Sequence, residues 1–211
     1  IYSNCDLENI SHVHSILQDD TINGFNVTIP YKEEILKFLD EIDEAAKIIG
    51  AVNTIKKINN KYIGFNTDFI GFEKSLIGLI ENKKPENALI LGSGGASKAV
   101  KYVLNKLNIN YSIVSRKSGK SEFIYENLNN EIINSFKLII NCSPVGTYPN
   151  TNDSPNIPYE YLTEDHILYD LIYNPAETLF LKKGRTSGCK IKNGLEMLEV
   201  QANEAWRIWN S

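Results

Sequence analysis

The stretch ALILGSGGAS, residues 88–97, indicates the fold class of this chain. Its first four residues form a continuous apolar run, which is typical of a strand covered on both faces of a parallel sheet. Glycines follow directly, and residues 97–107 then continue as a helix. At such a turn, the absent side chains let backbone N–H groups and the positive helix end approach a pyrophosphate. The stretch predicts a dinucleotide-binding βαβ unit, and a tight turn without a ligand is the alternative.

Further apolar runs follow this loop and extend the same pattern. We interpret residues 111–114, 138–141 and 167–171 as strands. Alternation of strands and helices specifies a parallel α/β sheet with right-handed crossovers. The carboxyl-terminal part of the chain is therefore predicted to be a parallel α/β domain that carries the glycine loop.

The part of the chain before residue 83 has a different pattern. Residues 22–29 have the β-branched and aromatic content of a strand, and Pro30 ends it because proline cannot donate to a sheet ladder. Residues 33–50 place apolar side chains at helical spacing, with Gly50 as the expected C-cap. This region thus predicts a strand followed by one long helix.

A hairpin and a second helix complete this first region. We predict a hairpin from residues 51–58 and 61–66 around the turn Asn59-Asn60, a helix over 69–82 and a polar linker over 83–87. The 211 residues are enough for two domains, and we place the boundary across that helix and linker.

Charge and composition restrict the kind of ligand. The net charge is −4, and no run of lysine and arginine is long enough to form a nucleic-acid-binding stripe. We therefore expect neither a nucleic acid nor a membrane surface as partner, and favour a small molecule. No apolar run approaches the ~18 residues of a membrane span.

The cysteines and histidines predict neither disulfides nor a metal site. Cys5, Cys142 and Cys189 are odd in number and far apart, which favours a reducing cytoplasm. His12 and His14 have no supporting carboxylate or cysteine nearby in the sequence, so we expect surface histidines.

The residues that end the second strand of the nucleotide-binding domain bear on the choice of dinucleotide. NAD sites usually carry an acidic residue there, ~20 residues beyond the glycine loop. This chain has Ser115, Arg116 and Lys117 instead. Two cations pair with a 2′-phosphate, and arginine does so in bidentate fashion. NADP is therefore predicted over NAD, and a solvated basic loop is the alternative.

Polar residues near strand and helix ends in the first region are candidates for a substrate site. They are Thr28, Lys32, Asn53 and Asp68. Each alone has a simpler explanation: Asn53 as a turn residue, Asp68 as an N-cap and Lys32 as an exposed lysine. A lysine near a helix N-terminus is electrostatically unfavourable, however, and this predicts Asp68 as its compensating carboxylate.

Seven short motifs occur along the chain: NVTIPYK, GAVNTI, GFNTD, LGSGGASKAV, INCSPVGTYP, DLIYNPAETLFL and GLEMLEVQANEAW. In this order and spacing, across essentially all of the chain, they resemble the shikimate dehydrogenase family. The resemblance implies an α/β, two-domain fold with a substrate-binding catalytic domain (1–71 with 195–211) and a Rossmann-like NADP-binding domain (72–194). It also implies reversible NADPH-dependent reduction of 3-dehydroshikimate to shikimate in chorismate and aromatic amino-acid biosynthesis, in the cytoplasm.

The resemblance assigns roles position by position. It implies Lys32 and Asp68 as the catalytic pair. Substrate ligands are implied at Thr28, Lys32, Asn53, Asp68, Tyr173 and Gln201. Cofactor-binding positions are implied at Gly92, Ser93, Gly94, Gly95, Ala96, Ser115, Arg116, Lys117, Leu171, Gly194 and Glu44.

One departure from the family concerns the amino terminus. The family's first strand and its serine motif for the substrate carboxylate would precede Ile1, which is not a methionine. We therefore expect either a truncated catalytic domain or an excerpt of a longer protein. An excerpt would be compatible with a fusion to another shikimate-pathway enzyme upstream. A homodimer is a separate expectation. A quinate or other cyclic polyol dehydrogenase, and a non-catalytic NADP-binding relative, are the alternatives.

Overall fold

A computed structural model of the chain describes residues 3–80, 83–116, 119 and 121–211. The described residues form two compact units. Unit 1 contains the residues up to Thr67 together with Ala202–Ser211, and unit 2 contains Asp68–Gln201. The domain limits given above, 1–71 with 195–211 and 72–194, stay a prediction.

Unit 1 is built on a four-stranded sheet with two short helices. Its elements are α1 (Val13–Leu17), β1 (Gly24–Asn26), β2 (Glu41–Ile42), α2 (Glu44–Ile49), β3 (Thr54–Ile58) and β4 (Lys61–Phe65). The strand order is β1-β3-β4-β2, antiparallel except for the parallel pair of β2 and β4. The predicted hairpin is confirmed as β3–β4. Asn59 and Asn60 have φ angles of 50° and 62° at its two-residue turn, as a type I′ turn requires.

The predicted helix over 33–50 is wrong. The chain there forms a 3₁₀ helix (Glu34–Phe38), then β2, then α2. Strand β4 draws this segment into the sheet: the Asp40 carboxylate accepts from the Tyr62 N–H at 2.7 Å, and the Asp43 N–H donates to the Gly64 carbonyl at 2.9 Å. Helical spacing of apolar residues records burial and cannot exclude such distant backbone partners.

Gly64 makes room for this arrangement. A β-carbon at Gly64 would lie 2.5 Å from the Leu39 Cδ1, so the absent side chain lets Leu39 pack onto β4. The predicted C-cap is confirmed, because Gly50 ends α2 in the left-handed conformation with φ 69°. The predicted strand over 22–29 is shorter than expected: β1 ends at Asn26, and Tyr31 N–H donates to the Thr28 carbonyl in a turn.

The end of the last helix packs on unit 1. Trp209 donates its indole N–H to the Ile55 carbonyl at 2.9 Å. A β-carbon at Gly24 would lie 2.7 Å from the Trp209 ring, so this glycine lets the indole lie against β1. The chain thus holds its last turns beside its first strand.

Unit 2 is a parallel sheet with helices along the chain between its strands. Its strands are β5 (Asn87–Leu91), β6 (Asn110–Ser115), β7 (Phe123–Ile124), β8 (Leu138–Asn141), β9 (Ile167–Asp170) and β10 (Lys190–Lys192), and its helices are α3 (Asp68–Ile80), α4 (Gly95–Lys106), α5 (Asn130–Ser135), α6 (Leu179–Thr186) and the first part of α7 (Leu195–Asn210). The strand order is β10-β9-β8-β5-β6-β7, and every neighbouring pair is parallel. The predicted α/β class and the central strands are confirmed. The short strands β7 and β10 were not predicted.

The alternation within β5 explains why its apolar run is continuous. Ile90 belongs to the core on one face of the sheet, whereas Leu89 and Leu91 belong to the core on the other. All of them are fully buried. A strand covered on both faces has no solvent side, so it carries no polar alternation.

Two glycines of α3 test the packing of unit 2. A β-carbon at Gly71 would lie 2.4 Å from the Met197 carbonyl oxygen, whereas one at Gly78 would meet nothing within 4 Å among the described residues. We expect Gly71→Ala to lower the free energy of unfolding by about 1–3 kcal/mol, because a backbone atom cannot move aside cheaply. Gly78→Ala, the matched control, should raise it by up to about 1 kcal/mol through helix propensity. Urea denaturation of both variants measures this, and equal effects would contradict the packing.

Candidate functional site

The predicted glycine loop lies directly between β5 and α4. Gly92 has φ 105°, and a β-carbon there would lie 3.3 Å from the Ser143 nitrogen, so the backbone itself requires glycine. Gly94 differs: a β-carbon there would meet nothing within 4 Å in the described part of the chain. Ser93, Gly94 and Gly95 are exposed, and the N-cap Gly94 offers no side-chain bond to the helix.

This geometry fits a dinucleotide pyrophosphate. The 12-residue helix α4 presents its N-terminal N–H groups beside an open glycine, and such groups bind anions. Packing among the described residues does not require glycine at position 94. Close approach of a ligand to the backbone stays the predicted reason for it. Ala96 follows as the second residue of α4.

The predicted 2′-phosphate site begins where β6 ends. Ser115 is buried, and its hydroxyl lies 2.8 Å from that of Ser121, which donates to the Phe123 carbonyl. Ser115 is therefore bonded to the residue that leads into β7. Arg116 follows it and is exposed. Burial raises the pKa of Tyr125 to about 12, and the nearby Arg116 cation opposes that rise. Lys117 lies outside the described residues.

Leu171 and Gly194, both predicted to lie near the nicotinamide, come together in unit 2. A β-carbon at Gly194 would lie 2.0 Å from the Leu171 carbonyl oxygen, so only glycine fits there. The Gly194 N–H donates to the Ile172 carbonyl at 3.0 Å. Tyr173 follows with half of its surface exposed. Gln201, on α7, lies with its β-carbon against Gly71 of α3 and donates to the Leu198 carbonyl.

A buried polar network at the ends of β8 and β9 was not predicted. Its members are Asn141, Ser143, Asp170 and Thr178. Burial raises the pKa of Asp170 to about 6, and hydrogen bonds from Thr178, Ile172 and Asn141 oppose the rise. The sequence did carry a signal, since Asn141 and Asp170 are polar residues at the ends of apolar strands.

In unit 1, Asn53 is the centre of a second buried polar network. Its side-chain oxygen accepts from the Thr67 N–H at 2.7 Å, and its amide nitrogen donates to the Thr67 hydroxyl at 3.0 Å. Asn26 donates to the Asn53 carbonyl and to the Thr54 hydroxyl. Asn53 is only 3% exposed, so these bonds fix the residue that precedes Asp68. Its role as a substrate ligand stays a prediction.

Lys32 is attached to the same region through its backbone. Its carbonyl accepts from the Val52 N–H at 2.8 Å, next to Asn53 in the chain. The side chain is half-buried and stands just before the 3₁₀ helix, while Thr28 is exposed. The structure therefore places Lys32 beside the Asn53 network of unit 1.

Asp68 and Glu44 each lie in the first turn of a helix. Asp68 begins α3, one residue earlier than predicted, and is part of the first turn, where a carboxylate is favourable. Glu44 is exposed at the start of α2, after Asp43, whose side chain accepts from the Ala45 N–H. The catalytic and cofactor roles of these carboxylates stay predictions.

Within the described ranges, no group of three or more histidine, cysteine, aspartate or glutamate residues could hold a metal ion. None of the helices described is both long enough and apolar enough to cross a bilayer.

A family model and the curated relatives point to one family. Residues 1–55 match the family model described as shikimate dehydrogenase substrate binding domain. A shikimate dehydrogenase (NADP(+)) of Methanococcus aeolicus is 44% identical over 200 residues, which cover 88% of this chain and 72% of that protein.

Solved structures share the fold over most of the chain. A chorismate mutase/shikimate 5-dehydrogenase fusion protein from Clostridium acetobutylicum has a TM-score of 0.80 and 42% identity, covering 95% of this chain and 74% of that one. Shikimate 5-dehydrogenase from Thermus thermophilus, solved in complex with NADP(H) and shikimate, has a TM-score of 0.83 and 30% identity, covering 97% of this chain and 79% of that one.

The open position at Gly94 allows a direct test of the glycine loop. We expect Gly94→Ala to keep the melting temperature of the protein, because no described atom lies near the added methyl. NADPH affinity should fall by about tenfold or more, since the methyl occupies the space of the pyrophosphate. Titration of NADPH fluorescence measures the affinity. Gly78→Ala, equally open but on α3, is the control, and unchanged NADPH affinity in Gly94→Ala would contradict the assignment.

Proposed function

Because this chain belongs to the shikimate dehydrogenase family, we propose that it catalyses the reversible NADPH-dependent reduction of 3-dehydroshikimate to shikimate. The protein is an NADP-dependent oxidoreductase of the pathway to chorismate and the aromatic amino acids. The observation that carries the proposal is the 44% identity to an NADP(+)-dependent shikimate dehydrogenase over 88% of the chain.

The residues proposed to hold NADP are all in unit 2, apart from Glu44. The loop from Gly92 to Ala96 and the α4 N-terminus would bind the pyrophosphate, and Arg116 the 2′-phosphate. Leu171 and Gly194 would offer backbone groups to the nicotinamide. When bound, NADPH supplies the hydride for the ketone.

Lys32 is proposed as the proton donor. Addition of hydride to a ketone creates an alkoxide, and a nearby ammonium group stabilises the developing charge and then protonates the oxygen. A free lysine has a pKa of ~10.4 and is charged at neutral pH. We assign the Asp68 carboxylate the role of holding the Lys32 ammonium group in place. The Lys32–Asp68 pair is therefore better suited to protonating the alkoxide during reduction than to acting as the base for oxidation of the alcohol.

The remaining polar groups are proposed to bind the hydroxyls and carboxylate region of the substrate. They are Thr28, Asn53, Tyr173 and Gln201. Each buried hydroxyl of a polyol substrate needs a hydrogen-bonding partner, so a site built of amide and hydroxyl groups rejects ligands that lack them. The exposed hydroxyl of Thr28 and the half-exposed Tyr173 are accessible for this purpose.

Cellular location and assembly extend the proposal. We place the protein in the cytoplasm, because its odd, scattered cysteines suit a reducing compartment. The fusion protein of Clostridium acetobutylicum supports a search for a fused pathway enzyme in the gene for this chain. A homodimer is proposed from the family resemblance, and light scattering tests it.

The decisive assay for the function follows NADPH oxidation with 3-dehydroshikimate, with NADH in parallel. We expect turnover with NADPH and little with NADH. Arg116→Gln should raise the KM for NADPH by about tenfold or more, through loss of a charge-assisted bond, and leave the KM for NADH unchanged. Arg207→Gln, another exposed arginine, is the control. In the oxidative direction, with NADP⁺ as hydride acceptor, turnover of quinate but not of shikimate would overturn the substrate assignment.

The role of Lys32 has a separate signature. We expect Lys32→Ala to lower kcat by about 10²–10⁴-fold, because the proton donor is lost, while the Kd of NADPH is unchanged. Lys37→Ala removes an exposed lysine from the neighbouring 3₁₀ helix and should behave as wild type. Steady-state rates and NADPH titration give both quantities. Equal losses in kcat and NADPH affinity would contradict the role of Lys32.

A further inference from the structure

Asp170 is a fully buried carboxyl group that the proposed mechanism does not use. It ends β9, and its side chain has no exposed surface. A buried charge is costly unless it is hydrogen-bonded, and its replacement by apolar residues is often neutral or stabilising. Something other than simple packing must therefore account for a carboxyl group at this point of the sheet.

Three donors converge on this carboxylate. One oxygen accepts from the Asn141 amide at 3.0 Å and from the Ile172 N–H at 3.1 Å, and the other accepts from the Thr178 hydroxyl at 2.6 Å. Every one of these partners donates, so the ionised form satisfies them all. An asparagine at position 170 would place its NH₂ group, a donor, against one of these donors.

The same bonds join two loops of unit 2. Asn141 accepts from both the N–H and the hydroxyl of Ser143, at 3.0 Å and 2.6 Å, in the loop after β8. Thr178 is the N-cap of α6 and closes the loop after β9. Asp170 is thus the link between the segment 141–148 and the segment 171–178.

Leu171 belongs to the second of these segments and is bonded to the first through its backbone. Its N–H donates to the Asn141 carbonyl at 3.1 Å, and its carbonyl packs closely against Gly194. Asp170 precedes Leu171, and the Asp170 carboxylate binds Ile172 directly after it. The backbone of Leu171 is therefore held from both sides.

The stability of the protein does not explain the carboxyl group. The folded pKa of Asp170, about 6, lies above its ordinary value of 3.8. Folding therefore favours the protonated form, and this contribution to stability is lost as the pH rises through about 6. At neutral pH the ionised group has none of this stabilisation.

We propose that Asp170 is a positioning residue for the hydride-transfer step, which acts through Leu171 and Ile172 on the placement of the nicotinamide. This inference rests on the proposed function. Affinity for NADPH comes largely from the glycine loop and Arg116, so a displaced Leu171 lowers the rate of hydride transfer more than it lowers binding. Small displacements of reacting groups have large effects on rate.

The test uses Asp170→Asn and Thr178→Val. Each substitution removes one partner of the hydrogen bond between Thr178 and Asp170 and replaces it with a side chain of similar size. We expect kcat to fall by about 10- to 100-fold, with little change in the Kd of NADPH. The kinetic isotope effect with NADPH deuterated at the transferred position should rise, because hydride transfer becomes rate-limiting. Thr178→Ser keeps the hydroxyl and should restore wild-type values.

A matched control separates positioning from stability. Asn129 is the exposed N-cap of α5, and its side chain accepts from the Ile132 N–H. Asn129→Ala loses a helix cap, as Thr178→Val does, but leaves the Asp170 network intact. It should lower the melting temperature and keep the wild-type kcat and isotope effect. A parallel fall of kcat in both variants would overturn the inference.

A measurement without turnover keeps the inference apart from the proposed function. The fluorescence emission of bound NADPH reports the surroundings of the nicotinamide, and we expect it to differ between wild type and Thr178→Val at saturation. Wild-type protein that binds NADPH but does not reduce 3-dehydroshikimate would overturn the proposed function, and the emission comparison would then decide the inference. Unchanged emission in Thr178→Val, or wild-type kcat in that variant, would overturn the inference.

Discussion

The parallel register of four neighbouring strands is the constraint on which the cofactor side of this protein depends. The pairing aligns four residues in one row: Val114, Leu91, Asn141 and Asp170. The loop that follows each strand must therefore begin at the same edge of the sheet. Gly92, Ser115 and Leu171 come directly after three of these residues, so groups far apart in the chain reach one edge. Ligands of open α/β sheets bind at this edge because the carboxyl ends of the strands and helix N-termini converge there.

Each unit stabilises its functional edge with a buried polar network. In unit 1 the Asn53 amide binds both the N–H and the hydroxyl of Thr67, which precedes Asp68. In unit 2 the carboxylate of Asp170, the residue before Leu171, accepts from the N–H of Ile172, the residue after it. Buried polar groups are costly when unsatisfied and rigid when satisfied, and every described buried side-chain nitrogen or oxygen has a partner. Both networks therefore hold backbone next to the residues that carry the proposed chemistry.

Glycine has a different physical reason at each of three functional positions. Gly92 needs a positive φ, and Gly194 needs space against the Leu171 carbonyl. Gly94 needs neither, because the space beside it is open within the described residues. Motif reading treats such glycines alike, whereas the structure separates the two that the fold requires from Gly94, for which we propose a ligand as the reason.

The sequence by itself determined the parallel α/β unit, the hairpin and the place of the glycine loop between strand and helix, because these depend on local properties. A continuous apolar run indicates burial on both faces, Asn59-Asn60 favours a type I′ turn, and glycines between strand and helix open the backbone. Local properties also marked Thr28, Lys32, Asn53 and Asp68 as candidates, and the family motifs added roles for them that stay predictions.

Only the tertiary structure decided what residues 33–50 become and which polar side chains are bonded inside. That segment has helical spacing, but β4 supplies backbone partners to Asp40 and Asp43, and Gly64 admits Leu39. Likewise, the sequence indicated only that Asp170 lies near the end of a strand. The structure shows that its carboxylate accepts from Asn141, Ile172 and Thr178. Periodicity records how deeply a residue is buried, whereas hydrogen-bond partners are set by segments distant in the sequence, and only folding brings those together.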